Sequence, residues 1–190
     1  MEIEQTIKYC PNGEIYQDTQ YYVTGELYRT IQYYIIGEIY QETKYFITGN
    51  KQQEQWYLSN NKQGDDQYHR IDGPAHIWYY ESGEVAQEYW YLNDSLHRIY
   101  GPAASSYYEN GNVLDEFWII NDLLFRVDGP AYVQYDEEGV LELETWAFNG
   151  KEIEDKKLIQ YKEWLTDNKL YKPYTQWTDE EKILWRLTWA

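Results

Sequence analysis

Two kinds of side chain in this sequence could do chemistry, and their spacing decides what they can be. Carboxylates stand five residues after a series of glycines, at Asp18, Glu42, Glu54, Glu88, Glu116 and Glu144, with Thr30 alone breaking the series. Two carboxylates facing across a cleft are the equipment of a glycosidase, but a hydrolase needs one singular pair and this chain repeats its acids at a fixed step. The three histidines, His69, His76 and His97, lack a helical ligand spacing, and Cys10 is the only cysteine. His69 and His97 occupy equivalent points, roughly 10 Å apart if two strands separate them, whereas zinc holds its ligands at about 2 Å. The expectation is no catalytic residue, no metal and no cofactor.

His69-Arg70-Ile71-Asp72 has the residue types of a protein-kinase catalytic loop, but no Asp-Phe-Gly or Gly-rich phosphate loop accompanies it. The stretch His69–Ala75 returns as His97–Ala103 and as Phe125–Ala131, so the third copy has lost the histidine. The step is 28 residues, and Gly83, Gly111 and Gly139, then Trp90, Trp118 and Trp146, then Asn93, Asn121 and Asn149 keep it. Such a period marks stacked supersecondary units. Arg70, Arg98 and Arg126 recur in phase with Glu88, Glu116 and Glu144, and are their expected partners, because a column of like charge is costly without them.

The positioning elements are strands. A shorter unit of 12 residues precedes the long ones, with turn glycines at Gly13, Gly25 and Gly37 and a worn copy at Gly49. All seven glycines have a tyrosine four residues before them, so both series are variants of one unit. Each glycine reads as a turn with positive φ, flanked by Tyr-, Ile-, Val- and Trp-rich strands. Twelve residues suit one strand and one tight turn. Twenty-eight suit a hairpin, for example His76–Tyr80 and Val85–Leu92 about Ser82-Gly83. Residues 60–67 lengthen one connection by six. The fold expected is an all-β repeat, an elongated antiparallel meander of stacked hairpins over 1–150, with 12-residue repeats over 7–56 and 28-residue repeats over 68–150. It should contain about ten strands. Equivalent aromatics (Tyr21, Tyr33, Tyr45; Trp90, Trp118, Trp146) are expected to stack along the repeat axis.

Residues 151–190 read as a helical cap. Leu158, Tyr161 and Leu165 have helical spacing, Asn168 and Pro173 stop that helix, and Thr178-Asp179-Glu180-Glu181 has the form of a capping box. Ile183, Leu184 and Leu187 form the expected inward stripe of a second helix. The cap should cover the last hairpin around Trp146 and Phe148, the alternative being partner binding through Trp185 and Trp189.

Charge is unevenly placed. Residues 1–150 carry 25 acidic and 8 basic side chains, and residues 151–190 carry 8 of each. The body should therefore repel nucleic acid and anionic lipid and attract a basic protein. The candidate partner-binding residues are Glu88, Glu116, Glu144 and the cluster Asp136-Glu137-Glu138. No apolar run is long enough for a membrane span. The opening Met1-Glu2-Ile3-Glu4 lacks the plan of a signal peptide, and the lone cysteine suits a reducing, intracellular compartment rather than secretion. The aromatic surplus and the bare first strand near Tyr9 lead us to expect a homodimer or higher oligomer.

The Tyr-Tyr-x-x-Gly-Glu-[Ile/Leu] unit and the Trp-Tyr-Leu-Asn…Leu-His-Arg-x-x-Gly-Pro-Ala unit resemble MORN-variant repeats over residues 7–150. Such repeats are abundant in large DNA viruses of amoebae and occur in bacterial antitoxin-like proteins. The resemblance implies a non-catalytic hairpin array that scaffolds other proteins, often as a homodimer, in a virion or host cytoplasm if viral. An antitoxin- or inhibitor-like acidic binder is the alternative, and a carbohydrate-binding surface the third reading.

Overall fold

The computed structural model describes residues 4–34, 39–58, 67–170 and 172–189; Gly37 and almost all of the six-residue lengthening lie outside the described residues. Five strands come from the short repeats: β1 (Glu4–Tyr9), β2 (Ile15–Tyr21), β3 (Leu27–Tyr33), β4 (Ile39–Tyr45) and β5 (Lys51–Trp56). Each 28-residue repeat then supplies a hairpin followed by a much shorter one. The first comprises β6 (His76–Tyr79), β7 (Val85–Tyr89), β8 (Tyr91–Leu92) and β9 (Ser95–Leu96). The second comprises β10 (Ala104–Tyr107), β11 (Val113–Phe117), β12 (Ile119–Ile120) and β13 (Leu123–Leu124). The third comprises β14 (Tyr132–Tyr135), β15 (Leu141–Thr145), β16 (Ala147–Phe148) and β17 (Lys151–Glu152). Among the described residues, eleven strands make one antiparallel sheet in the order β1-β2-β3-β4-β5-β6-β7-β10-β11-β14-β15, and the short pairs make three separate ribbons.

The tight turns follow from their glycines. Gly13, Gly25, Gly49, Gly83, Gly111 and Gly139 have φ between +84° and +99°. Each donates its N–H to the carbonyl three residues back, as Gly83 does to Tyr80 at 3.0 Å. That left-handed position closes a three-residue hairpin loop at no side-chain cost.

The expected single strand Val85–Leu92 is broken at Trp90. Trp90 donates its N–H to Ala103 O on the neighbouring hairpin, but its carbonyl accepts from His97 N of its own ribbon. The chain thus leaves the large sheet at this residue. Asn93-Asp94 and Asn121-Asp122 both adopt left-handed φ (51° and 66°; 50° and 64°), and Asn149-Gly150 does likewise at 48° and 73°. These are two-residue hairpin turns, for which Asn-Asp and Asn-Gly are suited because both central residues need positive φ. Successive ribbons interlock, since Asp94 N donates to Tyr68 O, Asp122 N to Leu96 O and Gly150 N to Leu124 O.

Two helices close the last repeat, α1 (Asp155–Asp167) and α2 (Asp179–Trp189), with a single turn of 3-10 helix at Tyr174–Gln176 between them. Tyr161 and Leu165 are wholly buried, as their spacing predicts, with Leu158 partly buried beside them. Thr178 N–H donates to Glu181 Oε2 at 2.6 Å, and Glu181 N–H returns to Thr178 Oγ1 at 3.2 Å, so the capping box forms. The expected inward stripe of α2 is wrong: Ile183, Leu184 and Leu187 face solvent at 55%, 42% and 82% exposure. Trp185 and Trp189 turn inward instead, onto Phe125, Phe148 and Tyr161. The seat they meet is itself aromatic, and indole rings bury more apolar area than leucine on such a seat. Tyr161 Oη donates to Val127 O at 2.5 Å and accepts from Trp185 Nε1 at 3.0 Å, tying both helices to the third repeat.

Candidate interaction surface

Residues directly opposed in an antiparallel pair share a sheet face, and this rule locates the carboxylate series. On the front face one row runs Thr6, Thr19, Thr30, Thr43, Glu54, Ile77, Glu88, Ser105, Glu116, Val133, Glu144. The back face carries the row that includes Asp18, Ile31, Glu42, Gln55, His76, Tyr89, Ala104, Phe117 and Tyr132. The carboxylates expected in one column are therefore split, with Asp18 and Glu42 behind and Glu54, Glu88, Glu116 and Glu144 in front. The cause is simple. A 12-residue repeat is one strand, and the fifth position after each turn glycine pairs with the sixth of the next copy (Asp18 with Ile31, Thr30 with Thr43, Glu42 with Gln55), so the same offset falls on alternate faces. A 28-residue repeat is two sheet strands, and its copies keep the face.

The expected pairing of Arg70, Arg98 and Arg126 with Glu88, Glu116 and Glu144 does not occur: none of these pairs comes within 4.0 Å. Each guanidinium instead lies over the tryptophan of the preceding repeat: Arg70 over Trp56 at 4.0 Å, Arg98 over Trp90 at 3.8 Å and Arg126 over Trp118 at 3.8 Å. Beneath it lies the glycine of its own Gly-Pro turn, where an added Cβ on Gly73, Gly101 or Gly129 would come within 2.8 Å of the guanidinium carbon. The Nη1 group of each arginine also donates to a proline carbonyl, Pro74, Pro102 or Pro130, at 3.2–3.3 Å. Asp72 and Asp128 bind the first and third arginines at 2.9 and 2.7 Å; Tyr100 holds that place in the second. Burial lowers the Arg98 pKa, and Glu88, Tyr107 and Glu116 oppose that shift without cancelling it.

Among the described residues no ring contact links Trp90, Trp118 and Trp146, or Tyr21, Tyr33 and Tyr45, so the expected aromatic columns are absent. A planar cation over each indole face takes the place that a second ring would fill. The signal was present in the sequence, because Trp90 and Trp118 each precede an arginine by eight residues. Eight residues after Trp146 stands Glu154, and the missing cation comes from α1. Lys162 Nζ lies 4.9 Å over Trp146 and 2.8 Å from Glu144 Oε1. Its hydrogen bond outweighs burial and holds the Glu144 carboxyl below its usual range, with Trp146 Nε1 assisting. Thus the helices supply the contact that a fourth repeat would have made.

Two further front glutamates, Glu54 and Glu88, are engaged as well. Tyr79 Oη donates to Glu54 at 2.5 Å and Tyr107 Oη to Glu88 at 3.3 Å, while burial first and these carboxylates second push both phenols up. The cluster Asp136-Glu137-Glu138 lies apart from the glutamate row, at the exposed β14–β15 turn, where Asp136 accepts the Val140 N–H at 2.7 Å. Glu142 joins it, and after burial these four acids raise the Tyr108 phenol. Glu144 is five residues from the turn glycine, about 15 Å along a strand, so the six candidates do not form one contact point.

The back face also holds an aromatic and glutamine cluster around His76 that the repeat spacing does not point to. His76 lies between Tyr68, Trp78 and Tyr89, with ring centroids 5.3, 5.2 and 5.9 Å away. Burial, with Lys44 nearby, pushes its pKa down to about 4. Gln53 donates to Gln55 at 3.1 Å, Gln55 donates to Tyr68 Oη at 2.6 Å, and Tyr57 Oη donates to Gln55 at 3.2 Å. Trp78 is 37% exposed beside this network, in one row with Gln53 and Gln87. His69 and His97 are used structurally: Asn93 N–H donates to His69 Nδ1 at 3.1 Å, and His97 Nδ1 is 2.7 Å from Asn121 Oδ1. Among the described residues there is no group of three metal-binding side chains, and no helix is long and apolar enough to cross a membrane.

No family model and no curated protein matches the chain.

Proposed function

We propose that this chain is a non-catalytic repeat scaffold of the MORN-variant type, binding protein partners along its sheet. The observation that carries the reading is that its repeated arginines and asparagines are spent on holding one repeat to the next, while on the back face Trp78 stays 37% exposed and His76, Tyr89, Phe117 and Tyr132 are only partly buried. His76, Trp78, Tyr89, Phe117 and Tyr132 form an aromatic strip there, bordered by glutamines, a composition suited to protein contact. The acidic tips at Asp136, Glu137, Glu138 and Glu142 favour a basic partner and speed its approach.

Affinity purification followed by mass spectrometry tests this reading. A basic protein should be retained at about 0.1 M salt and released towards about 1 M, as the screening length contracts from about 10 to about 3 Å. Changing the four tip acids to Asn and Gln should weaken it. Retention that ignores both salt and these substitutions sinks the electrostatic reading. Trp78, 37% exposed beside Gln87, favours a carbohydrate instead, and binding on a glycan array abolished by Trp78→Ala would establish that reading in its place.

A further inference from the structure

We propose that β1 is a self-recognition strand that pairs antiparallel with β1 of a second copy, in a register centred on Thr6. This gives the expected self-association a definite surface, and it stands or falls separately from the binding of other proteins.

β1 is one edge of the eleven-stranded sheet, and among the described residues its only partner is β2. Its residues are exposed except for Ile7, which is half-buried. An open edge with free backbone groups is a template for another strand. Cys10 directs its N–H to Glu14 O on the β2 side. Backbone groups alternate along a strand, so Lys8, Thr6 and Glu4 also point theirs at β2. Gln5 and Ile7 therefore present N–H and C=O outward.

Those two residues select the register. In a two-fold antiparallel pair centred on Thr6, Gln5 faces Ile7 of the second copy and Ile7 faces its Gln5, making two hydrogen-bonded pairs. Thr6 meets Thr6 at a non-hydrogen-bonded site, where side chains approach most closely. Glu4 then faces Lys8 and Lys8 faces Glu4, so the strand is complementary in charge to itself. Shifting the centre to Ile7 loses both ion pairs, since Lys8 then faces Thr6. The Thr6 register also extends a row already present, since Thr6, Thr19, Thr30 and Thr43 are mutual neighbours across four strands. Thr19 and Thr43 are buried by flanking strands at 8% and 4% exposure, while Thr6 lacks one neighbour and is exposed.

The opposite edge does not suit self-pairing. β15 carries Glu142 and Glu144, which would face like charge, and Lys162 already engages Glu144. Within one copy Glu4 and Lys8 do not meet: Glu4 opposes Tyr21 and Lys8 opposes Gln17.

Analytical ultracentrifugation of the full chain in a Cys10→Ser background tests the register. The parent should dimerise. Glu4→Lys alone or Lys8→Glu alone should weaken dimerisation about tenfold, because the symmetry turns two attractive pairs into two repulsive ones. Glu4→Lys with Lys8→Glu together should restore it, and only an intermolecular pair predicts that rescue. Thr6→Cys should oxidise to a disulfide-linked dimer, whereas Ile7→Cys, displaced from its own symmetry mate, should not. A monomer at all concentrations, a dimer indifferent to the single substitutions, or no rescue by the swap overturns the proposal. A protein partner still bound by the Glu4→Lys variant leaves the scaffold reading intact in each case.

Discussion

Gly101→Ala adds one methyl group and should unlock a whole repeat junction. Gly101 does not need the left-handed backbone, so alanine is allowed by its φ, but the new Cβ would lie 2.8 Å from Arg98 Cζ and 2.9 Å from Nη1. The guanidinium must leave the Trp90 face, 3.8 Å away, and release Pro102 O, 3.2 Å away. A half-buried cation–π contact contributes about 1–2 kcal/mol, and the hydrogen bond about 1 kcal/mol. The expected loss is therefore about 2–3 kcal/mol, large against a marginal fold. In an Arg98→Ala background the methyl meets no guanidinium. There, Gly101→Ala should be neutral or stabilise by about 0.4–1 kcal/mol through the unfolded chain. Urea unfolding of the four proteins, followed by tryptophan fluorescence and circular dichroism, completes the double-mutant cycle. If Gly101→Ala costs the same with and without Arg98, or is harmless in the parent chain, the interlock does not hold the repeats together.

Acid should weaken the fold through His76. Its folded pKa of about 4 lies below the ordinary 6.5, so the folded state refuses a proton that the unfolded chain accepts. The stability it contributes is complete above pH 6.5 and falls as pH drops towards 4; His76→Phe should flatten the slope of urea midpoint between about pH 7 and 5, and an unchanged slope would refute the assignment. Lys162→Ala should cost about 0.5–1 kcal/mol, since the Glu144 pair is partly exposed, while Lys162→Arg should retain stability; equal losses would show that Lys162 does not complete the last junction. Ending the chain at residue 150 should expose Trp146 and Val127 and lower the melting temperature, and an unchanged melting temperature would mark the helices as a separate recognition element.

Much of the architecture was legible because repetition is a statement about equivalence. The 12- and 28-residue steps, the turn glycines and the helical spacing of Leu158, Tyr161 and Leu165 each translate into backbone geometry with few alternatives. The Asn93-Asp94 and Asn121-Asp122 turns were equally legible, since paired residues with a taste for positive φ between short leucine- and isoleucine-bearing segments mark a tight hairpin. Reading Val85–Leu92 as one strand passed over them.

What periodicity leaves open is which equivalent residues meet. The carboxylates at one offset look like a column in sequence, yet the register sets the fifth position of each 12-residue copy, counted from its turn glycine, against the sixth of the next and sends Asp18 and Glu42 to the opposite face from Glu54. The arginines recur in phase with glutamate and with tryptophan alike. Only packing chose the indole, because a guanidinium can lie flat between a ring and a glycine while keeping its hydrogen bonds at the rim. The same holds for α2, whose leucines and tryptophans both read as inward faces until the aromatic seat of Phe125, Phe148 and Tyr161 was in place. The spacing alone establishes the units and their order. Their contacts come from packing, because a side chain's partner depends on strand register and on the shape of the surface it meets, and neither is written in the spacing.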